Sequence, residues 1–184
     1  NRKIWCCAST HPTEETLCAK SHLKIKEKYN NILTIIIPRH IDRVEEIYKE
    51  LSKLNLKIIL SSNLGQMDTK TDLILVDSYG ESLKFYSISK YVFLGKSLST
   101  ALIKDSGQNP IEPARLGCKI FHGPHVSNFV EIYKYFNKLG ITKEVKNSNE
   151  LSLSLVEEFV EDKPKSPEII EKIETYGQNI LNNV

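Results

Sequence analysis

The run Ile32-Leu-Thr-Ile-Ile-Ile37, closed by Pro38, constrains the fold more than any other segment. A stretch without charge or alternating polarity is what a strand looks like when both faces of its sheet are covered, and proline ends it for want of an N–H. Downstream, Val44, Ile47, Tyr48, Leu51 and Leu54 recur at helical spacing, and residues 56–60 return to strand character. The same alternation runs along the whole chain. Strands are predicted at 3–8, 73–76, 91–94 and 119–121, with an edge strand at 141–145. Helices are predicted at 14–29, 81–88, from Ile111, along the face Phe129, Ile132, Tyr133 and Phe136, and at 150–160 and 167–181. Two polar stretches, 61–72 and 99–105, read as loops. Strands alternating with helices imply an α/β domain: a Rossmann-like parallel sheet with helices on both faces and right-handed crossovers.

The chain has 184 residues, enough for one domain with a substantial core, and a hydrophobic fraction of 40% is ordinary for a globular protein. It begins at Asn1 with an apolar run almost at once, which reads as a piece of a longer protein. Lys and Arg outnumber Asp and Glu by only 25 to 23, so no strong field draws nucleic acid. No apolar run approaches the roughly 20 residues that span a bilayer, and a soluble domain is expected. Cys6, Cys7, Cys18 and Cys118 lack zinc-site spacing and are expected as free, buried thiols, with Cys6 and Cys7 on opposite faces of one strand. That agrees with a reducing compartment such as the cytoplasm.

Chemistry-bearing residues gather where strands end. Ser9-Thr10-His11, Pro38-Arg39-His40, Asp77-Ser78-Tyr79-Gly80-Glu81, Gly95-Lys96-Ser97 and Phe121-His122-Gly123-Pro124-His125 each follow or close a predicted strand. In an open parallel sheet the ligand crevice lies beyond the carboxyl ends of the strands, so these turns converge. The octet Ser106-Gly-Gln-Asn109-Pro-Ile-Glu112-Pro113 puts an amide and a carboxylate at a loop-to-helix junction, a place suited to phosphate and ribose. Read alone, it is equally an ordinary capped helix with Glu112 complementing the dipole.

Taken in order, Ala-Ser-Thr-His (8–11), Pro-Arg-His (38–40), Gly80-Glu81, Asn-Pro-Ile-Glu-Pro (109–113) and Gly-Pro-His (123–125) with Asn128-Phe129 resemble the C-terminal half of 3-deoxy-D-manno-octulosonic acid (Kdo) transferases. These are enzymes of lipopolysaccharide synthesis with the two-domain GT-B fold. The resemblance runs from Trp5 to about Leu151, with departures at Lys96 and Gln108. It implies a donor-binding domain over 1–162 and, over 163–184, a C-terminal helix reached through Lys163-Pro-Lys-Ser-Pro167 that crosses toward an N-terminal domain. It further implies that CMP-Kdo or CMP is the ligand and that the acceptor, a lipid A precursor, and the general base belong to that N-terminal domain. The catalytic residue would thus lie outside this chain, and the parent enzyme would sit at the cytoplasmic face of the inner membrane.

Arg39, held by Pro38, is the expected phosphate ligand. Ser78, Tyr79 and Gly80 would present main-chain amides, Asn109 would face the phosphate and sugar, and Glu112 the ribose hydroxyls. Ser9, Thr10 and Ser97 complete the donor set. Glu81 is read as a helix cap. His11 and His40 meet only if the first two strands are neighbours, and with His122 and His125 they are read as structural, so no metal and no cofactor are assigned. Two alternatives stay open: a GT-B enzyme using a uridine diphosphate sugar, which needs a wider phosphate cradle, and a nucleotide-binding module without catalysis.

Overall fold

The computed structural model describes residues 2–161 and 167–182. Seven parallel strands, β1 (Lys3–Thr10), β2 (Ile32–Pro38), β3 (Ile58–Leu60), β4 (Leu73–Leu75), β5 (Tyr91–Leu94), β6 (Lys119–His122) and β7 (Thr142–Glu144), form one sheet in the order β3-β4-β2-β1-β5-β6-β7. The chain passes from β1 to β2, goes on to the edge strand β3 and returns to place β4 between β2 and β3, then crosses to the other side of β1 for β5, β6 and β7. The direction of winding therefore reverses at β1, with β2 and β5 as its neighbours. Such a reversal leaves a crevice at the carboxyl ends of those strands.

Helices α1 (Glu14–Lys26), α2 (Val44–Ser52) and α6 (Ser148–Glu161) cover one face of the sheet; α3 (Ser82–Ile88), α4 (Ile111–Arg115), α5 (Val130–Lys138) and α7 (Pro167–Asn182) cover the other. The period of two along the strands decides which side chain goes where. Trp5, Cys7, Ile36 and Phe93 pack with Cys18, Ile25, Ile47, Leu51 and Leu155. Cys6, Ala8, Ile35 and Val92 pack with Phe85, Ala114, Phe136 and Ile173 on the opposite side. All four cysteines are free and buried.

Both stretches read as loops contain 3-10 turns, Ser61–Gln66 and Thr100–Asp105. The first is fixed by a tertiary contact: the Asp77 carboxylate accepts the N–H of Ser62 at 2.9 Å and both the Ser61 and Ser62 hydroxyls at 2.6 Å. Helix α1 stops at Lys26, three residues short of the predicted end at Tyr29, where the Ile25 carbonyl accepts the N–H groups of both Lys28 and Tyr29 and tightens the last turn. The strand expected at 56–60 pairs only over Ile58–Leu60.

Helix α7 lies on the sheet's own covering layer. Ile173 is fully buried among α4 and α5 residues, and Tyr176 stacks on Tyr135 with ring centroids 4.7 Å apart. Residues 163–166 of the expected approach, and the side chains of Ile169, Ile180 and Leu181, lie outside what the structure describes. Among the described residues no helix is long and apolar enough to cross a membrane.

Candidate functional site

The carboxyl ends of β1, β2 and β5 are drawn together by one buried carboxylate. Glu14, the first residue of α1, is fully buried; its Oε2 accepts the N–H of His11 at 2.9 Å and of Lys96 at 2.8 Å, and its Oε1 accepts those of Ser97 and Leu98 at 3.0 Å each. One side chain thereby joins the turn after β1 to the turn after β5. The close approach requires glycine at 95, where a Cβ would stand 2.5 Å from the Ser9 carbonyl oxygen and 2.6 Å from Glu14 Oε2. Ser9 takes a positive φ of 53° where the β1 register shifts, which turns the chain end out of the ladder.

The turn after β6 is stapled on in the same way. Ser97 is fully buried, donates to the Leu94 carbonyl at 2.7 Å and accepts the Gly123 N–H at 2.8 Å. Thr10, also fully buried, donates to Glu15 at 3.2 Å, and Pro38 is buried within β2. Thr10, Pro38 and Ser97 are thus buried in the strand ends and the turn that border the crevice. The two hydroxyl residues are buried because each has a partner inside the turn, which residue type alone does not reveal.

The other expected site residues are exposed or line a cleft. Ser9, Asn109 and Glu112 come together with Ser82, Tyr86, Leu94 and Gln108 around a cleft of ≈ 280 Å³. Asn109 Oδ1 accepts the Ile111 N–H at 3.0 Å, so the amide caps the start of α4 and its nitrogen remains a donor. Ser82 and Tyr86 come from α3 and carried no motif in the sequence. Ser78, Tyr79 and Gly80 are exposed on the turn after β4; Gly80 has φ +83° and Tyr79 is 72% exposed. Glu81 precedes α3 without capping it: its carboxylate accepts from Ser78 Oγ at 2.6 Å and pairs with Lys84 at 3.1 Å. Neither Arg39 nor this turn lines the Glu112 cleft.

Arg39 is exposed at the end of β2, its N–H bonded to the Thr10 carbonyl at 3.0 Å and its guanidinium without a partner among the described residues. His11 and His40 meet edge to face, ring centroids 5.6 Å apart, as adjacency of β1 and β2 requires. Burial, then the neighbouring His40, Lys96, Arg43 and Arg39, pull the His11 imidazole down to about 4, so it is neutral near pH 7. Its Nε2 is buried and has no hydrogen-bond partner. Arg43, by contrast, is paired with Glu15 at 2.9 Å. The arrangement is a cationic mouth over three strand ends, beside a polar cleft with an exposed carboxylate. Such a mouth can hold a phosphate, and the carboxylate can accept from neighbouring hydroxyls.

No family model matches the chain. It is 33% identical over 181 residues, 98% of its length, to the 3-deoxy-D-manno-octulosonic acid transferase of Haemophilus influenzae. It is 27% identical over 183 residues to a probable mitochondrial 3-deoxy-D-manno-octulosonic acid transferase of Arabidopsis thaliana. The crystal structure of the C-terminal CMP-Kdo binding domain of WaaA from Acinetobacter baumannii superposes with a TM-score of 0.75 at 26% identity, covering 98% of this chain and 90% of that domain. Over nearly its whole length the chain is similar to Kdo transferases and to a C-terminal CMP-Kdo binding domain. It spans about 40% of the length of the two curated relatives.

Proposed function

We propose that this chain is the donor-binding domain of a glycosyltransferase that moves Kdo from CMP-Kdo to a lipid A precursor at the cytoplasmic face of the bacterial inner membrane. The observation that carries the reading is the unpaired Arg39 guanidinium at the sheet's switch point, on a domain similar across its whole length to a CMP-Kdo binding domain. Transfer from a cytidine monophosphate sugar leaves one phosphate, with positive charge developing on the sugar and negative charge on the leaving group. Donors fixed in advance against that negative charge stabilise the transition state. Arg39 supplies two parallel N–H donors for the phosphate oxygens. Glu112 accepts from the ribose hydroxyls, Asn109 Nδ2 donates toward the phosphate or sugar, and Ser78, Tyr79 and Gly80 offer main-chain groups on the far side. The supporting residues Thr10, Pro38 and Ser97 act on the donor only through the turns they hold.

Acceptor binding and proton removal from the acceptor hydroxyl belong, in this reading, to a partner domain, so the chain by itself binds donor without transferring sugar. Calorimetric titration of the chain with cytidine monophosphate, with uridine monophosphate and uridine diphosphate alongside, tests it. Selective binding of the cytidine nucleotide supports the reading; preference for uridine diphosphate, or no binding of any of the three, contradicts it.

A further inference from the structure

Two cations without a polar partner among the described residues stand on opposite sides of the carboxyl end of β1: Arg39 after β2 and Lys96 after β5. Both turns adjoin His11 at the end of β1: the Arg39 N–H bonds to the Thr10 carbonyl, and the Lys96 N–H shares the Glu14 Oε2 atom with the His11 N–H. His40 faces His11 from the β2 side, and Arg43, the other cation acting there, is neutralised by Glu15. The carboxylate that holds the Lys96 main chain, Glu14, is closed off from solvent and already engaged by four main-chain N–H groups. Like charges gathered without a counter-charge are costly unless a ligand completes them.

Lys96 is placed there at some strain. Its φ of +56° is one that side chains other than glycine and asparagine rarely adopt, and it is held from both ends: its N–H by Glu14 at 2.8 Å and its carbonyl by the Gly107 N–H at 2.7 Å. The N–H groups of Lys96, Ser97 and Leu98 all turn toward Glu14, while that of Gly95 goes to the Ala8 carbonyl, so the left-handed residue sits where the turn changes partner. Between the two cations, the buried Nε2 of a neutral His11 lacks any hydrogen-bond partner. Two separate unpaired cations with a free imidazole nitrogen between them suit a ligand with two anionic groups rather than one.

A nucleoside monophosphate ester of an acidic sugar is such a ligand: one charge on the bridging phosphate, one on the sugar carboxylate. We propose that Lys96 binds the carboxylate of the acidic sugar on the donor, while Arg39 holds its phosphate. Lys96 is then a specificity residue that separates acidic-sugar donors from neutral ones and from the spent nucleotide. The proposal rests on the donor-binding reading above.

The test uses a hydrolysis-resistant, phosphonate-linked CMP-Kdo analogue and the methyl ester of its carboxylate, two ligands of nearly equal bulk that differ in one charge. The whole chain binds the acid at least about ten-fold more tightly than the ester, the lower bound for a hydrogen bond to a charged group. In Lys96→Gly that preference falls to within about two-fold, and in Lys96→Arg it is retained. Glycine adopts the left-handed backbone freely, so the thermal midpoint of Lys96→Gly does not fall, which separates a lost contact from a lost fold. Equal binding of acid and ester by the unaltered chain, or a preference that survives in Lys96→Gly, overturns the role of Lys96 while leaving donor binding intact. Failure of the unaltered chain to bind either ligand or cytidine monophosphate overturns the donor-binding reading itself.

Discussion

The Glu14 side chain holds the Lys96 main chain across 82 residues of sequence, Oε2 to N–H at 2.8 Å, and the same carboxylate takes three further amides from both turns. Glu14→Gln keeps the shape but replaces one oxygen by an NH₂ group that faces N–H donors instead of accepting from them. Two main-chain donors then lose their acceptor in a buried site, at about 1–3 kcal/mol each. Urea denaturation should show a loss of about 2–5 kcal/mol, and cytidine monophosphate affinity should fall with it because the turns bearing His11 and Lys96 part. A variant as stable as the parent contradicts the clamp.

Gly123 answers to a different constraint. A Cβ at this position would stand 2.2 Å from the Ser97 carbonyl oxygen, main chain against main chain, with no flexible side chain to give way. Gly123→Ala should therefore destabilise by about 1–3 kcal/mol, the range for overpacking a tight site. Gly65→Ala is the control, since nothing lies within 4 Å of its Cβ. Thermal midpoints of the two variants should differ clearly; similar midpoints contradict the close approach.

Much of the sheet was legible in the sequence because strands buried on both faces need apolar residues at nearly every position, as in Ile32–Ile37, where Thr34 is the one polar residue and has His22 as its partner. Helices α2 and α5 were legible because their buried faces are apolar: Ile47 and Leu51 in one, Ile132, Tyr133 and Phe136 in the other. Helix α1 was harder. Its buried residues include Glu14, Glu15, Ser21 and His22, each satisfied by a tertiary partner, so its inner face carries no hydrophobic period. The site followed the same division. The sheet edge that carries Arg39 and Glu112 could be located from motifs at strand ends and from the family resemblance they carry. The partners of Ser97 and Asp77 could not, because hydrogen bonding to Gly123, 26 positions on, or to Ser61 and Ser62, 16 and 15 positions back, leaves no local signal. Glu14 read only as an acidic residue in a first turn, where helices commonly carry one.

Acid should weaken this fold through its histidines before its depressed carboxylates titrate. Burial, the largest cause for both, pulls His11 and His22 from 6.5 to about 4, with His22 held at 2.8 Å from the Thr34 hydroxyl. An imidazole whose folded value lies below its unfolded value contributes stability that is complete above pH 6.5 and lost as the pH falls toward 4. Glu15, raised by burial, works in the opposite sense, whereas Asp72 and Asp77, raised by burial but lowered on balance by their several hydrogen bonds, act at still lower pH. Urea midpoints should thus decline between pH 6.5 and 4, and His22→Asn should show a shallower decline. A midpoint flat across that window contradicts the account of both histidines.

Arg39 and Glu112 should separate by ligand rather than by stability. Both are exposed, and neither has a polar partner among the described residues, so alanine at either position should leave the thermal midpoint within experimental scatter. Arg39→Ala should weaken cytidine monophosphate binding by about 1.5–3 kcal/mol, the range for a hydrogen bond to a charged group, while leaving cytidine, which has no phosphate, unaffected. Glu112→Ala should weaken cytidine and cytidine monophosphate alike, because the ribose hydroxyls are common to both. If Arg39→Ala reduces cytidine binding as strongly as that of the monophosphate, the guanidinium serves the nucleoside and not the leaving phosphate. The assignment of charge stabilisation at the end of β2 would then have to move to another donor in the crevice.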